Sequence, residues 1–264
     1  MDKLPISAFI IAKNEAERIG ATLASVKALA SEMIVVDSGS TDGTQEIAQQ
    51  YGAKVMYHDW AGYGPQKRFA EEQCAYDWVL NLDADEVLSE ALVEQIRDVF
   101  NSQNGASAVE MGQVDGYELL IRDCVPNEAL PRHFAHTTRA VRLYRKSKGR
   151  YPESTVHDRV HFTSPNAHIH TLRAPVYHYS VMSMEQAIMK LNRYSTMQAA
   201  DMQARGKTPN FLLLRLYTEF FMAFFKSYIL RMDIFRGHAG FVNSMTYAFS
   251  RFARIAKVWE MRNK

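Results

Sequence analysis

Cysteine is nearly missing from these 264 residues: Cys74 and Cys124 are the only two. They form no C-x-x-C pair and no zinc framework, in keeping with a reducing compartment. No run of 18 uninterrupted apolar residues occurs, so no membrane-spanning helix is expected. The N-terminal apolar run, Ile6 to Ala12, has only the length of a strand and lacks the layout of a signal peptide. The phosphate-cradling G-x-x-x-x-G-K-[ST] loop is absent. Gly62-Tyr63-Gly64 lacks the third glycine of the dinucleotide fingerprint and follows no clean strand end. These absences exclude two common nucleotide cradles, but not a nucleotide.

Charge is present in both signs but unevenly placed. Residues 181–264 hold 13 Lys+Arg and 5 Asp+Glu, a net +8, whereas residues 1–180 hold 18 and 24, a net −6. An acidic body with a basic tail suggests two jobs in one chain. The basic part suits a membrane surface, an anionic lipid or a nucleic acid.

The first 90 residues alternate strand and helix patterns. Ile6–Ala12, Met33–Asp37, Lys54–Tyr57 and the run from Asp77 read as strands. Between them lie a helix reaching about Leu29 with Asn14 as its N-cap, a second reaching about Tyr51, and a third over Gln66–Cys74. A β-α-β-α-β-α-β order implies a mainly parallel sheet with right-handed crossovers. Glu90–Phe100 reads as an amphipathic helix, residues 101–112 as a loop, and Tyr117–Ile121 and Ala140–Tyr144 as strands. Pro152, Pro165 and Pro175 break the stretch from 151 to 180. From Ser183 onward the pattern is helical.

The densest chemistry lies in Asp77-Trp-Val-Leu-Asn-Leu-Asp83-Ala-Asp85-Glu86-Val87. An apolar run ends in three acids, at the strand end where open α/β sheets place their ligands. Carboxylates this close repel one another unless something positive shares the space. A divalent cation carrying substrate phosphates meets that need. Two more strand ends, Ala12-Lys13-Asn14-Glu15 and Asp37-Ser38-Gly39-Ser40-Thr41-Asp42, bring polar groups to the same rim and so outline a crevice. His157-Asp158-Arg159-Val160-His161 has the spacing of a zinc helix. However, Val156, Val160 and Phe162 favour a strand, where residues four apart stand about 13 Å from each other.

Together, Ile10–Glu15, Ile34–Thr44, Gly64-Pro65-Gln66-Lys67 and Leu80–Glu86 carry a resemblance. The chain resembles the family 2 glycosyltransferases, which have the GT-A fold. More narrowly, it is similar to bacterial enzymes that add sugars to lipopolysaccharide core or like surface glycans. Order and spacing match over residues 5–90. The match continues more weakly through Val156–Val160 and the helical tail.

The resemblance implies an α/β GT-A catalytic domain over residues 1–180, with a nucleotide-sugar half (1–90) and an acceptor half (91–180). A helical, basic appendage follows over 181–264. It implies an inverting, metal-dependent glycosyltransferase that uses a nucleotide-diphospho-sugar donor, UDP-linked by expectation, and a glycan or glycolipid acceptor. Ala12, Glu15 and Asp37 would surround the nucleoside, with Asp37 on a uracil ring, and Asn14, Ser38, Gly39 and Ala84 would line the same rim. Gln66 and Lys67 would approach the base or diphosphate, and Asp83 the ribose. Asp85 would hold Mg²⁺ or Mn²⁺, and His178 would complete that site or touch the diphosphate. Asp158 would be the base for the acceptor hydroxyl; similar proteins often have Glu there. Glu86 is left a local role. Arg132, His133, Arg139 and Arg142 stay open between diphosphate or acceptor binding and a solvated basic face. A sugar nucleotidyltransferase of similar fold would carry a Gly-rich basic signature after the first strand, which is missing. A non-catalytic nucleotide-sugar binder has no need of Asp83, Asp85 and Asp158 in one chain.

In the tail, Phe211–Leu230 carries only Arg215, Glu219 and Lys226 as charges, all on one helical stripe, amid Phe, Leu, Met and Tyr. Three readings stand: a membrane-surface helix, packing on the catalytic domain, or a homo-oligomer contact. Nucleic acid is not an expected partner, since the aromatic residues are not set out as stacking platforms. The expected location is the cytoplasm, with peripheral attachment to the inner face of the cytoplasmic membrane as an option.

Overall fold

The computed structural model describes residues 2–101, 114–124, 129–131, 135–153, 159–180, 183–204, 206 and 212–263. The chain divides into two compact units, Met1–Ser180 and Val181–Lys264.

Strand β1 (Leu4–Ala12) is central to the first unit. It is apolar on both faces, as a strand inside a parallel sheet must be. Ile6, Ala8 and Ile10 enter one layer of core and Phe9 the other, since successive strand side chains point to opposite faces. β2 (Ala30–Asp37) and β4 (Trp78–Asp83) flank β1 in parallel, and β3 (Lys54–Tyr57) lies parallel beyond β2. The crossovers contain α1 (Ile19–Lys27), α2 (Thr44–Gln50) and α3 (Tyr63–Glu72). α1 packs Ile19, Leu23 and Val26 into the Ile10 layer, and α3 packs Ala70 into the Phe9 layer. Each fully buried Leu or Ile contributes about 1.5–3 kcal/mol.

After Asp83 come β5 (Glu86–Leu88), α4 (Glu90–Asn101), β6 (Gly116–Asp123), β7 (Thr137–Arg145) and β10 (Ile169–His178). A separate two-stranded ribbon pairs β8 (Gly149–Arg150) with β9 (His161–Phe162). The main sheet runs β3-β2-β1-β4-β7-β6-β10-β5. β7 is antiparallel to β4 and β6, β10 is parallel to β6, and β5 is antiparallel to β10. The result is the expected mainly parallel sheet flanked by helices, with an antiparallel insertion. Two registers build the site. Leu143 opposite Leu80 sets the neighbouring Arg142 beside Asn81. His178 opposite Glu86 sets the histidine beside Asp85.

One capping expectation is corrected. α1 begins at Ile19, with Arg18 in the cap position and no side-chain cap. Asn14 instead takes a left-handed backbone (φ 56°), which asparagine tolerates better than most residues. It ties two loops together: its N–H donates to Ser40 Oγ at 2.8 Å, and its Oδ1 accepts from the Thr41 N–H at 2.9 Å.

Among the described residues the second unit has three α-helices: α5 (Met184–Ala204), α6 (Leu212–Phe225) and α7 (Gly237–Arg262). A π-helical turn (Lys226–Leu230) and a 3₁₀ turn (Asp233–Arg236) join α6 to α7. Ala199, Leu212, Ile255 and Val258 form the core. Of the charged stripe, Glu219 turns inward while Lys226 stays exposed. Glu219 is buried and accepts from Arg215 at 2.6 Å and Arg251 at 2.9 Å. Among the described residues, no helix is long and apolar enough to cross a membrane.

Candidate nucleotide and metal site

The C-terminal ends of β1, β2 and β4 form one rim. Strand register aligns Ala12 with Asp37 and Ile11 with Asp83. The β2 end is a tight turn around a buried carboxylate. Asp37 Oδ2 accepts from the N–H groups of Gly39 and Ser40, both at 2.8 Å, and from Gln45 Nε2 at 2.9 Å. Gly39 has φ 89°, a conformation open chiefly to glycine. Asp37 Oδ1 is buried and accepts no hydrogen bond from the described residues. A buried acceptor of this kind costs free energy until a donor reaches it. Ser38 donates to the Ala12 carbonyl from its N–H at 3.0 Å and its Oγ at 3.2 Å. Glu15 N–H donates to Thr44 Oγ1 at 2.8 Å, so the β1 and β2 loops form one stitched edge.

The β4 end carries the acids, and the protein supplies its own cations beneath them. Lys67, only 1% exposed, places Nζ 2.9 Å from Asp83 Oδ1. Arg142 Nη2 donates to Asp83 Oδ2 at 2.9 Å and to Glu86 Oε1 at 2.8 Å, while Nη1 donates to Asn81 Oδ1 at 2.6 Å. Burial would raise the Asp83 carboxyl, but Arg142 and Lys67 overcome it and hold the group well below the usual carboxylate range. Glu86 is pushed up by burial and by Asp83, against the pull of Arg142. Its Oε2 also accepts the Asp83 N–H at 3.0 Å. Arg142 is therefore neither a solvated surface cation nor a group presented to an acceptor. Arg139 is exposed.

Asp85 and His178 meet at the edge of this cluster. His178 Nε2 lies 3.4 Å from Asp85 Oδ2, and Nδ1 lies 2.7 Å from Asp123 Oδ1. Burial would lower the imidazole, but its hydrogen bonds to Asp123 and Asp85 outweigh that and push it up to about 10. Arg18 Nη1 is 3.6 Å from the same Asp85 oxygen, and its Nη2 pairs with Glu15 at 2.5 Å. Among the described residues no cluster of three or more His, Cys, Asp or Glu stands ready for a metal. The pair nevertheless fits a hard divalent ion. Such ions accept one or two protein ligands and complete their shell with phosphate and water oxygens. Ligation through Nε2 requires the ring to release its proton.

The remaining expected residues divide. Ala84 is buried, and its carbonyl accepts from Thr22 Oγ1 at 2.9 Å. Gln66 is buried, with Nε2 donating to the His58 carbonyl at 3.1 Å and Oε1 2.8 Å from His58 Nδ1. Its polar atoms are thus committed within the protein. Asp158, Arg132 and His133 lie outside the described residues. Three groups escaped the sequence reading. Arg18 and Asp123 flank Asp85 and His178, and Tyr57, 63% exposed, pairs with Asp37 in the register of β2 and β3. For Asp123, a polar residue ending an apolar strand was the available signal.

A family model, "Glycosyl transferase family 2", matches residues 7–164. An uncharacterized glycosyltransferase of Rickettsia bellii is 44% identical over 97% of this chain and 86% of its own length. The lipopolysaccharide core biosynthesis glycosyltransferase LpsC of Rhizobium meliloti is 33% identical over 98% of this chain and 93% of its own. Among solved structures, S. aureus TarS 1–349 in complex with UDP-GlcNAc aligns with a TM-score of 0.47 and 14% identity, covering 98% of this chain and 92% of that one.

Proposed function

The chain belongs to glycosyl transferase family 2, and on that premise we propose an inverting, divalent-cation-dependent transfer from a UDP-linked sugar to a saccharide on a lipid carrier. The observation that carries this reading is the convergence on one rim of an unsatisfied Asp37 oxygen, an ionised Asp83 and the Asp85–His178 pair.

Each group has a definite task. Asp37 Oδ1 accepts the ring N–H of uracil, and exposed Tyr57 offers the base an aromatic face. Asp83, ionised and so acceptor-only, takes hydrogen bonds from ribose hydroxyls. Lys67 and Arg142 keep it charged and fixed in direction. Asp85 and His178 are the residues that would hold Mg²⁺ or Mn²⁺. When bound, such an ion supplies Lewis-acid stabilisation of the charge that develops on the departing nucleoside diphosphate. Arg18, within reach of Asp85, adds positive charge on the same side. Asp158 is assigned as the base that takes the acceptor hydroxyl proton while the new glycosidic bond forms opposite the leaving group, which inverts the anomeric centre. A positioned carboxylate of this kind is worth about 10²–10⁴-fold. A saccharide acceptor on a lipid is supported by the relative named for lipopolysaccharide core biosynthesis, and it calls for peripheral contact with the membrane.

A thermal-shift panel of nucleotide sugars with and without Mn²⁺ tests this. A ligand that binds only the native state raises the melting temperature. UDP-sugars are expected to do so in Mn²⁺ and to lose most of the effect in EDTA. A panel in which no nucleoside diphosphate shifts the protein overturns the reading.

A further inference from the structure

α6 is built inside out for a helix in water. Its inner side carries Leu212, Glu219 and Ala223. Its outer side carries Leu213, Tyr217, Phe221 and Phe225 at steps of four, together with Leu214 and Met222. A surface helix in water turns its apolar stripe inward, yet here Tyr217 is 74% and Phe221 71% exposed. α7 repeats the inversion, with Gly240, Ser244 and Ala248 inside and Phe241, Met245 and Phe249 outside. A Cβ on Gly240 would lie 1.9 Å from the Asp233 carbonyl oxygen, so the backbones approach as closely as glycine permits. Small residues inside and large apolar ones outside is the packing helices use when their surroundings are apolar.

The connecting turn follows the same logic. Asp233 is buried and accepts from Ser227 Oγ at 3.1 Å, Arg236 Nη1 at 3.1 Å, Asn243 Nδ2 at 3.0 Å and Ser244 Oγ at 3.3 Å. The polar groups of the tip thus satisfy one another. Ile229, Leu230, Met232, Ile234 and Phe235 are left outward, Phe235 at 81% exposure. Charge completes the pattern. Between Glu219 and Glu260 the only acid is the buried Asp233. Lys226 and Arg231 are exposed, so the charge this tip shows is cationic.

We propose that the tip of the α6–α7 hairpin, about Phe221 to Phe241, lies in the headgroup and acyl boundary of an anionic bilayer without spanning it. An exposed apolar face flanked by Lys226 and Arg231 has the chemistry of an interfacial membrane contact, and each basic residue near an anionic surface strengthens it. The proposal deepens the lipid-carried acceptor reading and rests on it only for the expectation of membrane contact. It identifies the element that makes the contact and the lipid charge that element selects.

The test is co-sedimentation of the full chain with phosphatidylcholine vesicles, with and without phosphatidylglycerol, and no sugar donor present. Wild type is expected to bind the anionic vesicles and to bind neutral ones about tenfold more weakly. Leu230→Ser with Phe235→Ser should weaken binding to anionic vesicles by about tenfold or more. Lys226→Glu with Arg231→Glu should abolish the preference for anionic lipid. Circular-dichroism melting checks that both double variants are folded. No vesicle binding by wild type, or equal binding by the folded Leu230→Ser/Phe235→Ser variant, overturns the proposal. So does a dimer that this variant abolishes while wild type ignores vesicles, since a second copy then covers the face. Because UDP-induced thermal shift is read separately, an intact shift without vesicle binding overturns the membrane tip alone.

Discussion

Arg142 Nη2 stands 2.9 Å from Asp83 Oδ2, and the same nitrogen also holds Glu86 at 2.8 Å. One buried cation thus joins a rim carboxylate to a carboxylate beneath it. This sets where Asp83 points and keeps it charged. Burying Glu86 beside Asp83 without that partner would be strongly destabilising.

Removing Arg142 tests this network. Arg142→Ala leaves Glu86 buried and Asp83 half-supported, and the expected loss is about 3–5 kcal/mol of unfolding free energy, read by urea titration. Arg142→Ala with Glu86→Gln should recover part of it, because the deepest unpaired charge is gone. Equal losses in the single and double variants would show that Arg142 is not the counter-ion of Glu86.

Glu71 makes stability depend on pH. Its Oε2 accepts from Tyr144 Oη at 2.8 Å and from the Tyr151 N–H at 3.0 Å, and burial pushes its carboxyl up despite these bonds. Above its ordinary value of 4.5, the folded chain holds this proton more tightly than the unfolded one. The contribution is therefore full at low pH and lost as pH rises through the folded value. Gln can accept the same two bonds without titrating. Glu71→Gln should therefore gain stability relative to wild type as pH rises above 4.5, measured by urea unfolding. A pH-independent difference would contradict this.

Asp158→Asn should lower turnover by about 10²–10⁴-fold while leaving the UDP-dependent thermal shift in place, since the proposed assignment makes it a base and not a donor contact. Near-normal turnover would remove the assignment.

The legible parts of the molecule were those written locally. An apolar run ending in Asp83 and Asp85 placed the acids at a strand end, and the alternation of strands and helices gave the parallel half of the sheet. Arg142 was not legible as a buried counter-ion. Its place depends on β7 pairing antiparallel with β4, which brings it to Asn81 across 61 residues of sequence, a pairing that no local period reports. The crowded acids did signal a need for positive charge, and the fold answers part of it with Lys67 and Arg142. Asn14 misled because its N-terminal position suits a cap, whereas its side chain serves the neighbouring loop. In α6 the charged stripe was visible but its direction was not. Glu219 turns inward because Arg215, Arg251 and Arg254 meet it there.

The proposed nucleotide site is tested most directly by calorimetric titration of UDP into wild type and Asp85→Ala, each with Mn²⁺ and with EDTA. UDP is expected to bind wild type in Mn²⁺, and both Asp85→Ala and EDTA to weaken it by about tenfold or more, a difference of about 1.4 kcal/mol. UDP affinity unchanged by the substitution and by the chelator would contradict a cation site at Asp85.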